Sequence, residues 1–507
     1  MDSIIFQSFI PEFFFSIAIL LQLIFNIKLI NNPRYNFPII DREVFYQTLF
    51  ILISLFLLYS NLKIEGFFSN FLFVNDESTK IFKMLTLLVC FFTLNIVFQS
   101  FSLQRLNFFE FFVIFSLSLF SLLLLISCSD LISFYLVIEM QSLCFYILSS
   151  FKRDSSFSTE AGLKYFVASA FISGVFLFGS SLIYGMIGTL NFSAISSILT
   201  FELGENFVPE IYFLKTGIIC VTVTLLFKIA CAPFHLWAPD VYEGSPLSST
   251  IIFSIVPKLS LTFFFIKWIL CLNTISIQEI LLVCGVLSAF VGTISALNQH
   301  RFKKLIIYSS ISQIGFIAAG LALNTLSGYT AVLFFLIIYI ITSILIWTHF
   351  SLFYLFQAEI NKFYKKTETS LFLASLTNFF NVNKLWAFSF VIIFFSIAGV
   401  PPLTGFLSKI LILAELIHYN QAFVAIALII ISSLSAFYYV RVLKIMFFEP
   451  RTLEKSYQKC QIIFHNGFLD TIYFNNTILL SILLFVFFSP SLLLLICQYI
   501  VLSISAF

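Results

Sequence analysis

The sequence predicts an all-α, polytopic membrane protein with about fourteen transmembrane helices, and three observations carry that prediction. Of 507 residues, 60% are hydrophobic and only 10% charged, against about 25% charged in a water-soluble globule. Mean hydropathy is correspondingly high, at +1.05. Apolar stretches of about 20 residues, the length that carries a helix across the hydrocarbon layer, recur along the whole chain. The basic residues are also distributed unequally between successive loops, as in membrane proteins with a defined orientation.

Bounding the stretches by charge, proline and asparagine clusters places spans near 9–30, 44–62, 81–100, 108–127, 130–149, 161–187, 209–235, 246–270, 277–298, 303–323, 328–356, 385–418, 421–447 and 476–505. Two connections are long, Glu359 to Lys384 and Glu449 to Asn475, and no soluble domain is expected. Of the 27 Lys and Arg residues, nineteen fall in odd-numbered loops, among them Arg34, Arg105, Lys152, Arg301, Lys365 and Arg451. Four, Lys63, Lys80, Lys83 and Lys215, fall in even-numbered loops. The positive-inside rule puts the odd loops on the cytoplasmic or matrix side and both termini opposite.

Composition also narrows function. A net charge of +3 spread over loops gives neither a nucleic-acid groove nor a polybasic lipid anchor. Nine cysteines stand scattered without a Cys-x-x-Cys, which is the pattern of small buried hydrophobes rather than of an iron–sulfur or haem site. No glycine-rich dinucleotide or phosphate motif is present, so no nucleotide cofactor and no metal is expected on this chain. The start, MDSIIFQSFIPEFFF, lacks a basic region and a small-residue cleavage site, so the first span is expected to stay. Phe occurs 71 times, a bias resembling that of A+T-rich organellar genomes.

The four remaining basic residues, Lys228, Lys258, Lys267 and Lys409, lie inside apolar spans. A lysine at bilayer depth costs roughly 2.5–3.5 kcal/mol on insertion scales, which makes it a candidate for carrying ions or protons. Lys228 precedes Pro233 in LLFKIACAPFHLWAPDVYEGSP, and the proline must break its helix, freeing carbonyls that are tolerated only beside protein or a wet cavity. Lys409 follows a second break in AGVPPLTGFLSKILILAEL, at Pro401 and Pro402. Interrupted helices in two halves of a chain are a transporter signature. Lys267 sits at the end of its span beside Trp268, where snorkelling to the interface accounts for it.

Glu139 stands about 14 Å into the fifth span, in DLISFYLVIEMQSLCFY, with no charged neighbour in sequence. A carboxylate there needs a cation from another helix or must be protonated. The bland alternative, for it and for the lysines, is a static charge that fixes helix packing. His235 and His349 are secondary candidates for moving protons, each set against an ordinary hydrogen-bonded histidine near an interface. Ser312 and Gln313, in KKLIIYSSISQIGF, put a hydroxyl and an amide inside a helix, where they bond helix to helix or line a water wire.

Together, LLFKIACAPFHLWAPDVYEGSP, the segment from IEMQSLCFYILSSFKRD to FGSSLIYG, KKLIIYSSISQIGF and AGVPPLTGFLSKILIL resemble the antiporter-like membrane subunits of proton-pumping NADH:quinone oxidoreductase, respiratory complex I. Within these the chain is most similar to the subunit 2 family in its fourteen-helix form, over roughly residues 108–447. The resemblance implies two inverted five-helix repeats, 108–270 and 271–450, with helices 7 and 12 broken, preceded by helices 1–3 in 1–107 and followed by a loop and helix 14 in 451–507. It also implies that Glu139, Lys228, Lys258 and Lys409 form a proton relay. Gln313 departs from relatives that carry histidine there. The family implies other membrane-arm subunits and lipids as partners, no stand-alone homo-oligomer, and NADH, FMN, iron–sulfur clusters and ubiquinone held by other subunits. It implies location in the mitochondrial inner membrane, with odd loops in the matrix. A cation/proton antiporter of the same ancestral fold, and a non-pumping scaffold subunit, are the alternatives.

Overall fold

A computed structural model describes residues 7–30, 39–68, 72–104, 109–201, 208–272, 277–364, 372–377, 380, 383–449 and 468–505. Arg34, Arg105, Lys365, Lys366, Arg451, Lys455 and Lys459 lie outside the described residues. The chain opens with α1 (Ile10–Ile30), α2 (Ile39–Ser60) and α3 (Glu77–Gln104). Next come α4 (Glu110–Ser127), α5 (Leu131–Ser149), α6 (Ser156–Ile187), the short α7 (Phe192–Phe201), α8 (Val208–Ile229), the two-turn α9 (Trp237–Gly244) and α10 (Leu247–Cys271). Then follow α11 (Gln278–Leu297), α12 (Phe302–Leu321), α13 (Leu326–Tyr364), α14 (Lys384–Ala398), α15 (Thr404–His418) and α16 (Ala422–Phe448). The described chain ends in α17 (Phe468–Phe488) and α18 (Pro490–Ser505).

Among the described residues, twelve of these helices are individually long and apolar enough to cross a membrane. The predicted seventh and twelfth spans are interrupted as the prolines require. Helices α14 and α15 have 15 residues each, about 22 Å, too short to cross alone. Two expectations need correction. The fourteenth span is not one helix: α17 and α18 meet at 91°, because Pro490 lacks an N–H and its ring stops α17 from continuing. Lys80 and Lys83 are not loop residues but lie fully buried in α3. Lys83 pairs with Glu12 of α1 and with Asn75, and Lys80 binds the carbonyls of Asn61, Leu62 and Ile64, so each ammonium is hydrogen-bonded inside the protein. The all-α reading holds, and beside the helices stands one small antiparallel hairpin, β1 (Gly66–Phe68) with β2 (Phe73–Asn75), in register Gly66 to Asn75.

Burial within the chain decides which helices make the centre. The span of α10 is wholly buried and those of α12 and α13 are 89% and 83% buried, whereas α2, α6 and α16 leave most of their surface outward. A helix that is apolar all round belongs inside a bundle. Helix α5 packs on α10 through Phe134 stacked on Phe264 at 3.8 Å and Phe145 beside Phe253 at 4.7 Å. Helices α11 and α12 approach closely because small residues face each other: a Cβ on Gly292 would lie 2.6 Å from the Ser312 nitrogen.

Candidate functional site

The first break places Lys228. Helix α8 ends at Ile229, Ala230 turns into the left-handed region at φ 66°, and the chain runs irregularly to α9 through a cis Ala232–Pro233 bond. At this break the Phe227 oxygen accepts both from the Ala230 N–H at 2.9 Å and from the indole of Trp237 at 3.0 Å. The Lys228 ammonium is shut off from solvent and has no hydrogen-bond partner. It borders a cavity of about 20 Å³, room for about one water, lined also by Gln141, Ser142, Tyr165, Trp237 and Tyr242. Glu139 of α5 is the carboxylate whose charge acts on Lys228. One Glu139 oxygen lies 3.3 Å from the Ser142 hydroxyl and the other is buried without a partner. Among the described residues the two are not within ion-pair distance.

Helix α10 supplies the next base. Lys258 directly follows Pro257, and its ammonium is 2.5 Å from the Tyr339 hydroxyl of α13 and 4.9 Å from that ring's centre. A second cavity of about 20 Å³ lies alongside, lined by Tyr242, Ser254, Ser309, Ser310, Gln313, Tyr339, Thr342 and Ile397. Gln313 thus faces the cavity, whereas the Ser312 hydroxyl donates to the Ser309 carbonyl of its own helix at 2.7 Å.

The second break holds Lys409. Gly399 ends α14 at φ 83°, a left-handed conformation that costs other residues about 1–2 kcal/mol, and Pro401–Pro402 is cis. Lys409 reaches back from α15 and donates to the carbonyls of Ile397 and Ala398, each at 2.9 Å. A cation at a helix C-terminus meets the negative end of the helix dipole and its unpaired carbonyls. The ammonium also lies 5.5 Å from the centre of the Phe316 ring.

The histidines separate. His349 is buried with both ring nitrogens occupied, Nδ1 at 2.8 Å from the Leu345 carbonyl and Nε2 at 2.8 Å from the Ser389 hydroxyl. His235 sits in the first break with Nδ1 buried and unpartnered. Lys267, expected at the interface, bonds the Ile126 carbonyl at 2.9 Å and lines an open basin of about 490 Å³ with Asp76, Ser129, Ser196, Asn324 and Tyr329. Burial, partly offset by Lys267, holds the Asp76 carboxyl above its ordinary range. A second basin of about 670 Å³ opens on the face of the odd loops, lined by Lys152, Lys164, Asp240, Glu243, Arg301 and Lys304.

The structure therefore puts Lys228 at one cavity and, across Tyr242, which lines both, a second cavity lined by Tyr339 and Ile397, to which Lys258 and Lys409 are respectively hydrogen-bonded. Buried amines beside hydroxyls and water-sized spaces can accept, hold and pass a proton. Sequence reasoning missed Tyr242, Tyr339 and Phe316. A mid-span tyrosine, with its polar tip in an apolar run, was the available signal for Tyr339. Among the described residues no cluster of three or more His, Cys, Asp or Glu is arranged to hold a metal.

Comparison with known proteins agrees with this architecture. A family described as NADH:quinone oxidoreductase/Mrp antiporter, transmembrane, matches residues 128–435. NADH-ubiquinone oxidoreductase chain 2 of Oenothera berteroana is 36% identical over 455 residues, covering 88% of this chain and 90% of its own. A chain in the structure of respiratory complex I from Thermus thermophilus superposes with a TM-score of 0.73 at 23% identity, over 96% of this chain and 98% of its own. A chain of the Mrp complex from Dietzia sp. superposes at 0.76 with 16% identity, over 98% and 97%. The extent of these matches, together with the two broken helices and their buried lysines, shows that the chain belongs to the NADH:quinone oxidoreductase/Mrp antiporter transmembrane family, in the group typified by NADH-ubiquinone oxidoreductase chain 2.

Proposed function

We propose that this chain is a proton-translocating membrane subunit of NADH:ubiquinone oxidoreductase, coupling electron transfer in other subunits to proton movement through Glu139, Lys228, Lys258 and Lys409. The observation that carries the reading is three buried ammonium groups and one carboxylate near two water-sized cavities between two helix breaks: Lys228 lines one cavity, and the other is lined by Tyr339, which binds Lys258, and by Ile397, whose carbonyl binds Lys409. In this reading a change of charge in a neighbouring subunit alters the grip of Glu139 on Lys228. A Lys228 ammonium without a hydrogen-bond partner depends on that distant carboxylate and on water for its stability, so weakening either releases its proton toward Lys258. Lys409 exchanges with one side through the second break. The chain has no redox centre of its own in this proposal, and NADH, FMN, iron–sulfur clusters and ubiquinone belong to partner subunits of the membrane and peripheral arms. It acts in the mitochondrial inner membrane, among lipids and other membrane-arm subunits rather than as a homo-oligomer, with odd loops facing the matrix and both termini the intermembrane space. The similarity to plant mitochondrial relatives and the distribution of basic residues support that placement.

The test is Lys228→Met in the assembled complex reconstituted into vesicles, reading protons moved per NADH oxidised. Loss of pumping is expected; an unchanged ratio would overturn the relay. The superposition on the Mrp complex favours a second reading, a cation/proton antiporter. Sodium-dependent proton exchange by vesicles free of electron-transfer subunits would support it.

A further inference from the structure

Tyr242 lines both cavities: the one that Lys228 also lines, and the one lined by Gln313 and by Tyr339, to which Lys258 is bonded. We propose that its ring is a partition between the two hydrated halves of the axis, and that α9 is the element that holds the partition shut. This rests on the proton-relay reading and adds to it the residue that keeps water, and with it protons, from running straight through.

Three features of the fold set the ring in place. Pro257 of α10 has no N–H to give to the Phe253 carbonyl one turn earlier, and the Tyr242 hydroxyl donates to that freed oxygen at 3.2 Å. Tyr242 is itself 5% exposed and packs edge-on to Trp237 at 5.7 Å, while Trp237 is tied to the last turn of α8 by its bond to Phe227. The phenol is thus bound to a main-chain carbonyl rather than to either lysine, so it fills space between the cavities without bridging them by its own hydrogen bond. The next residue, Glu243, points the other way, into the charged basin on the face of the odd loops. There it pairs with Arg301, just ahead of α12, and at 2.8 Å with Lys304, and Lys303 donates to the Ser245 carbonyl at 2.8 Å. Helix α9 has only two turns, so ion pairs on its outer face and the ring on its inner face move as one body. A change of charge at the basin is thereby transmitted to the partition over a single residue step.

The experiment compares Tyr242→Phe, Tyr242→Leu and Tyr242→Ala in the intact complex in vesicles, reading electron transfer, protons moved per electron and passive proton leak. Tyr242→Phe keeps the ring and should retain coupling. Tyr242→Ala should join the cavities and raise the leak by about tenfold, the effect of a barrier lower by ~1.4 kcal/mol, with electron transfer preserved and protons per electron falling. Tyr242→Leu, which leaves less space, should be intermediate and serves where the alanine variant fails to assemble. Glu243→Gln should raise the leak less than Tyr242→Ala, through loosening of α9. Leak and coupling unchanged in the assembled alanine or leucine variant would overturn the partition, as would a phenylalanine variant that leaks as much as alanine. If Lys228→Met abolishes pumping while these variants are silent, the partition fails and the relay stands; if Lys228→Met pumps normally, the relay itself fails.

Discussion

The two broken helices use the same parts, proline and lysine, to opposite effect. At the first break the lysine precedes the proline, in the last turn of the half-helix before the gap. Helical side chains lean toward the N-terminus, so Lys228 points away from the carbonyls at its own helix's C-terminal end, where that of Phe227 accepts from Ala230 and Trp237. Its ammonium is left to a cavity and to the field of Glu139. At the second break the lysine follows the prolines, on the next half-helix, and reaches back across the gap to two freed carbonyls. One base is electrostatically exposed to change and the other is anchored. The order of two residue types along the chain thus decides which amine is left without a hydrogen-bond partner and which is held by backbone.

Substitutions at the two breaks sharpen or break this contrast. The largest expected effect is on pumping: Lys228→Met should abolish it with little change in the thermal stability of the complex, since no hydrogen bond is lost there. A marked loss of stability in that variant would show that Lys228 is structural. Lys409→Met should impair both properties, because it strands the carbonyls of Ile397 and Ala398 at about 1–3 kcal/mol for each buried group left unpaired. A melting temperature matching that of the unaltered complex would argue against the anchoring role. Next comes Gly399→Ala, which forces a side chain into φ 83° and sets its Cβ 3.0 Å from the Lys409 Cδ; about 1–2 kcal/mol of destabilisation is expected, measured by thermal inactivation. The smallest is Trp237→Phe, which removes the bond to the Phe227 carbonyl for about 1 kcal/mol while keeping most of the packing. It should leave Lys409-dependent stability untouched, which a double variant with Lys409→Met would reveal as additive losses.

The N-terminal helices give a second contrast with the axis. Lys83 and Glu12 form a buried contact pair, whereas Lys228 and Glu139 act on each other without one. Matched charges in contact suit a fixed structure, and separated ones suit a switch. The local sequence separates the two lysines, Lys83 a few residues after Asp76 and Glu77 and Lys228 in an apolar run, but it names the partner of neither.

What the amino-acid order determined by itself was whatever lipid enforces residue by residue: the number and rough limits of the spans, the breaks at Pro233 and at Pro401 and Pro402, and the presence of Glu139, Lys228, Lys258 and Lys409 inside apolar stretches. Hydropathy and the missing proline N–H are local properties and need no knowledge of neighbours. Tertiary structure alone decided what each buried charge meets. Lys258 finds the hydroxyl of Tyr339 81 positions away, Lys83 finds Glu12 across 71, and Tyr242 lines two cavities whose walls together come from eight helices. The 91° turn between α17 and α18 is likewise invisible in hydropathy, which averages over the single proline that causes it. A charged group in a low-dielectric interior is governed by the few atoms that touch it, and in a helical bundle those atoms come from helices far apart in the chain.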